Sequence, residues 1–187
     1  MPSMPDSAAS SQPASSSSYR PVVRLALLLG GGVGVVCGLW LVFLHLTGNN
    51  AFGPKQLLAQ LLVPLAAVGS EWLLRQRVRP AKPGLGRSLA VGGLTVLIAA
   101  VLTAGSMGAL AQAVGSNALS ETKLEAREIA QLQYNGLPEK ERNAELHQLN
   151  LRQIEALTVN DLVSAAFMRV LLLGLVLAVP AGIFLRE

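Results

Sequence analysis

Four blocks of this chain, at about residues 25–46, 56–74, 88–114 and 162–185, are apolar for long enough to cross a bilayer. About 20 apolar residues suffice for a helical crossing. Hydrocarbon offers no water to the backbone, so each block must satisfy its own N–H and C=O groups, which only a helix does within one segment. The expected fold class is therefore all-α, an integral-membrane four-helix bundle. Composition agrees. Of 187 residues only 14% are charged and 51% are hydrophobic, whereas a soluble domain carries about a quarter charged residues. Pro64 and Pro180 fall inside the second and fourth blocks, where a proline is expected to kink a helix.

The rest of the chain divides around these spans. Residues 1–19 form a Ser/Pro-rich tail, with eight serines and three prolines in the first 18 residues. Such a segment buries too little apolar surface to offset its ordering entropy, and disorder is expected. Residues 20–187 form the membrane domain. Its loop between spans two and three, "RQRVRPAKPGLGR", carries Arg75, Arg77, Arg79, Lys82 and Arg87 and no acid. Arg20 and Arg24 precede span one, and Arg186 follows span four. These basic residues share one side of a four-span chain, so both termini are expected in the cytoplasm. The formal charge of +4 is thus read as a topology signal rather than as a nucleic-acid footprint.

Residues 115–161 lie on the other side, with five basic and eight acidic residues for a net charge of −3. They read as two helices outside the bilayer. Thr122 with Glu125 fits a capping box, and Asn135-Gly136 is a helix stop. Pro138 suits the first turn of the second helix, and Thr158, Asn160 or Asp161 suits the cap of span four. Leu146, Leu149, Ile154 and Leu157 give a modest apolar face.

The Gly-rich first span, the basic turn leading through "GLGRSLAVGGL", the charged helical segment and the terminal "AGIFLRE" together resemble the bacterial four-span membrane-protein family catalogued as domain of unknown function 4199. The resemblance covers about residues 20 to 187. It implies this topology and a bacterial inner-membrane address, and no catalytic residue comes with it.

Small residues recur four apart: Gly30, Gly34 and Gly38 in span one, Ala100, Ala104 and Gly108 in span three, and Gly174, Ala178 and Gly182 in span four. They let helix backbones approach closely in lipid, and the preferred reading is packing within the bundle rather than between chains. "GGGVG" lacks the lysine and hydroxyl of a phosphate-binding loop. Cys37 has no partner cysteine and is expected to be an inert core side chain. No catalytic motif, metal set or cofactor motif is present in the sequence, so an enzyme is not expected.

Arg169 lies about 10 Å into span four, at about 1.5 Å per residue from Leu162. Its long stem can snorkel toward the headgroups. The alternative is an outward-facing polar pocket in which Arg169 joins His45, Gln60, Ser106 and Gln112. Glu71 is expected to pair with Arg75, four residues on, and not with Arg169. The preferred function is a structural or accessory protein of the cell envelope. Its partners would be the lipid bilayer and another envelope protein or a second copy. The runner-up is a small transporter or channel-like protein using the Arg169 pocket.

Overall fold

The computed structural model describes residues 20–78 and 84–184. The Ser/Pro-rich tail, Arg79 and Lys82 of the basic loop, and Leu185 and Arg186 beyond span four lie outside the described residues. Among the described residues every regular element is helical. They are α1 (Arg20–Leu46), α2 (Leu57–Gln60), α3 (Leu62–Val78), α4 (Leu85–Val114), α5 (Ser116–Gly136), α6 (Ala144–Ala156) and α7 (Val159–Phe184). Four helical stretches are long and apolar enough to cross a membrane: Arg20–Leu46, Pro54–Arg77, Leu85–Val114 and Val159–Phe184. They match the four expected spans.

The second span is broken where its sequence requires. Pro64 has no N–H to return to the Gln60 carbonyl, and its ring crowds that carbonyl. The helix accordingly divides at Leu61 into the short α2 and the long α3. Pro180 has a milder effect, and α7 runs unbroken through it.

α4 is the hub of the bundle, packing against α1, α3 and α7, while the first and last spans pack on α4 rather than on each other. At 3.6 residues per turn, α4 presents three adjoining strips. Thr95, Ile98, Leu102 and Ser106 meet the small-residue face of α1. A Cβ added to Gly30 would lie 2.5 Å from the Thr95 carbonyl oxygen, one on Gly34 would lie 2.6 Å from Leu102 Cβ, and one on Gly38 would lie 2.6 Å from Ser106 Oγ. On a second strip, Leu89 and Val96 fill the spaces left by Gly182 and Gly174 of α7. Between them runs the strip carrying Ser88, Gly92 and Ala99, which faces α3. Ala100, Ala104 and Ala178 are buried, and Gly108 faces Val163. The small residues of these stripes thus lie against other helices of the same chain.

The outside of the bundle is apolar. Leu28, Leu39, Leu65, Leu172 and Val176 are each at least 60% exposed. A contiguous exposed apolar belt of this extent marks a surface facing something other than water. With four spans of membrane length, that surroundings is lipid.

The segment between spans three and four is a helical hairpin with boundaries that differ in part from expectation. α5 begins at Ser116, just after Gly115, whose φ of 75° turns the chain out of α4. Thr122 and Glu125 therefore sit inside α5 and cap nothing. α5 does stop at Asn135-Gly136. Pro138 opens only a single 3-10 turn, and α6 starts later, with Asn143 accepting from the N–H groups of Glu145 (3.0 Å) and Leu146 (3.1 Å). Span four carries the reciprocal cap. Thr158 N–H donates to Asp161 Oδ2 at 2.8 Å, and Asp161 N–H donates to Thr158 Oγ1 at 3.3 Å. The hairpin is closed near its base by the Arg127–Glu155 ion pair (2.5 Å). Tyr134 stacks on His147 near its tip, with ring centroids 4.3 Å apart.

Gly34→Ala forces a methyl group into Leu102 and should destabilise the bundle by about 1–3 kcal/mol. Gly31→Ala meets no atom within 4 Å and should be neutral or stabilising. Unfolding of both variants in mixed micelles, followed by circular dichroism, checks the difference.

Candidate functional site

The end of the bundle that carries the α5–α6 hairpin is organised by Asn50, in the loop between α1 and α2. Its Oδ1 accepts from the Phe52 N–H at 2.9 Å and from Thr122 Oγ1 at 3.3 Å, while its Nδ2 donates to Glu125 Oε2 at 2.5 Å. One amide thus ties the loop to the first turns of α5. Gly53 permits the approach, because a Cβ there would lie 2.6 Å from Glu125 Oε2. The loop is also held to α1, where Trp40 Nε1 donates to the Lys55 carbonyl at 3.1 Å, and Lys55 Nζ donates to Asn49 Oδ1.

This arrangement encloses a half-open cavity of about 400 Å³, whose polar wall is Gln56, Thr122, Glu125 and Arg169. Phe52, Pro54, Leu57 and Ile129 supply its apolar wall. Arg169 is half-buried and makes no hydrogen bond or ion pair with another described residue. Arg169 thus shares the cavity with residues of α5 and the loop. Gln56 leads inward: its Nε2 donates to the Phe52 carbonyl (3.1 Å), and its Oε1 accepts from Gln60 Nε2 (3.4 Å).

The residues grouped with Arg169 from sequence are not assembled around it. His45 and Gln112 are exposed. Ser106 is committed to the seam with Gly38. Gln60 is buried and reaches the cavity only through Gln56. Similar depth along a span does not set facing direction: Ser106 and Gln112 are six residues apart, which places them on different faces of α4. Gln56, Thr122 and Glu125 take the places given to those residues, with Asn50 bonded behind Thr122 and Glu125. Asn50 in a Gly/Asn-rich turn was the one available signal, since Asn there commonly bonds nearby backbone.

A second polar feature lies toward the opposite end of the bundle. Glu71 on α3 has no exposed surface, and neither carboxyl oxygen has a partner among the described residues. The expected pair with Arg75 is not formed. Among the described residues Arg127–Glu155 is the sole ion pair. Glu71 turns inward against Gly92 and Gly182, while Arg75 remains half-exposed. Cys37 is buried, its Sγ 3.5 Å from the Ala59 carbonyl oxygen. Among the described residues no group of three His, Cys, Asp or Glu side chains gathers.

No family model, curated protein or solved structure matches this chain.

Asn50→Ala removes the charge-assisted bond to Glu125 and should weaken the docking of α5 by about 1.5 kcal/mol or more. Hydrogen exchange should then speed up in residues 118–126 and leave α4 unchanged.

Proposed function

We propose that the chain is a non-enzymatic, multi-pass protein of the bacterial inner membrane that holds a small polar ligand in its outer cavity, as a small transporter or channel-like protein does. The observation that supports this most is the unpartnered guanidinium of Arg169 in the wall of a cavity built from three separate elements. An intramembrane charge facing a cavity is by default a binding group. Glu125 in the same lining supplies the other sign, so the chemistry fits a zwitterion, such as an amino acid or an aminophospholipid headgroup. Gln56 and Gln60 continue the polar lining into the bundle. The basic cluster Arg75, Arg77 and Arg87 at the opposite end supports cytoplasmic termini and an outward-facing cavity. The inner-membrane address rests on the resemblance to the four-span family catalogued as domain of unknown function 4199.

Arg169→Leu should lower retention of the ligand at least about tenfold, the loss expected for one charge-assisted hydrogen bond. Arg169→Lys should retain part of it. Native mass spectrometry of the chain extracted in mild detergent reads the bound species directly. Equal retention by wild type and Arg169→Leu, with both folded, would remove the basis for a binding cavity.

An accessory role has its own support. Leu132 and Leu146 on the outer hairpin are 71% and 63% exposed, beyond the spans and outside the cavity. If the hairpin engages another envelope protein, Leu146→Glu should reduce cross-linking to that protein and leave ligand retention intact.

A further inference from the structure

Apart from the outer cavity, the bundle has a carboxyl group seated where nothing obliges one to be. Glu71 is fully buried, and both of its oxygens lack a partner among the described residues. It occupies a notch made by two glycines on two other helices. Any Cβ at Gly92 of α4 would collide with Glu71 Oε1, and one at Gly182 of α7 would lie 3.5 Å from the same oxygen. Ser88 lies one turn along the same face of α4 as Gly92, and it too is buried, with an unpartnered hydroxyl. Gly92 thus leaves the space that the carboxyl fills, Gly182 borders it at ordinary contact distance, and the three helices give it no donor.

The charged groups around it do not compensate. On α3, Arg75 is half-exposed and Arg77 exposed, and neither is ion-paired. Arg87 of α4 and Arg20 and Arg24 of α1 are exposed. α7 has no ionisable residue between Val170 and Phe184. A buried carboxylate without a counter-charge or donor is strongly disfavoured, and such a group neutralises by taking a proton. A bound metal cation would need several oxygen ligands, and the unpartnered buried hydroxyls of α4 are Ser88, four residues from Gly92, and Thr103, eleven residues from it.

We propose that Glu71 is a proton-binding site of the bundle, a carboxylic acid held in the closed space beside Gly92 between α3, α4 and α7. Glu71 lies seven residues before the end of α3 at Val78, about 10 Å along the helix. The site is independent of the ligand proposed for the Arg169 cavity, and its test does not use that ligand.

The experiment is infrared spectroscopy of the full chain in lipid nanodiscs across a pH series, comparing wild type with Glu71→Gln. The expected result is a protonated-carboxyl C=O band in wild type at neutral pH that is absent from the variant. In alkaline buffer the band should fade, the protonated share dropping about tenfold per pH unit beyond the midpoint. A neutral-pH spectrum without the band, or a band that persists in Glu71→Gln, would overturn the proposal. If Glu71→Gln does not fold, wild-type protein treated with dicyclohexylcarbodiimide, which adds to protonated carboxyls in apolar surroundings, gives the answer by peptide mapping. An adduct at Glu71 that declines as pH rises supports the site. Adducts confined to exposed acids such as Glu121 and Glu128, or a Glu71 adduct suppressed by sodium at fixed pH, would overturn it.

Discussion

Everything in this bundle depends on how closely three helices approach α4. In lipid there is no hydrophobic effect to press helices together, so packing and the fit of small residues must hold them. Gly30, Gly34 and Gly38 bring α1 down onto Thr95, Leu102 and Ser106, and Gly174 and Gly182 bring α7 onto Val96 and Leu89. These are interlocks rather than mere proximity, since a methyl group at any of them meets an occupied position. Both polar features follow from this arrangement. The outer cavity lies where α5 and the α1–α2 loop cover the ends of the interlocked spans. The Glu71 notch lies where two of the glycines, on different helices, face the same carboxyl.

The two polar regions are separated by a mostly apolar layer, in which the Thr95 hydroxyl donates to the Val91 carbonyl of its own helix. Val63, Ala67, Val96, Ala99 and Val170 are fully buried and form the middle of the core. On the hairpin side of it are Gln60, Gln56 and the cavity lined by Arg169, and on the other side are Glu71 and Ser88. Small and β-branched apolar side chains leave little room for water in this layer.

Much of the fold could be read from the chain because lipid leaves few choices. A long apolar block must be a helix, and that rule gave all four spans. Signals confined to a few neighbouring residues varied in value. Thr158 and Asp161 cap the span they precede, and Asn135-Gly136 ends α5. Thr122 and Glu125 have the same spacing as a cap, yet they lie within a helix that begins at Ser116, because the turn is made by Gly115. Their side chains are instead used by Asn50, 72 and 75 residues away in sequence. Neither the partner nor the direction of such a contact is contained in local spacing.

The sequence by itself determined the number of spans, the helical class, the side bearing the basic cluster and the small-residue faces, because each depends on hydrophobicity, period and charge along one segment. Which side chains meet across segments was decided by tertiary structure alone. Arg169 faces Gln56 and Glu125 rather than His45 and Gln112, and Glu71 turns from Arg75 toward Gly92 and Gly182. Both outcomes depend on the rotation of each helix about its own axis. That rotation is fixed by the glycine interlocks on α4, and depth along a span carries no information about it.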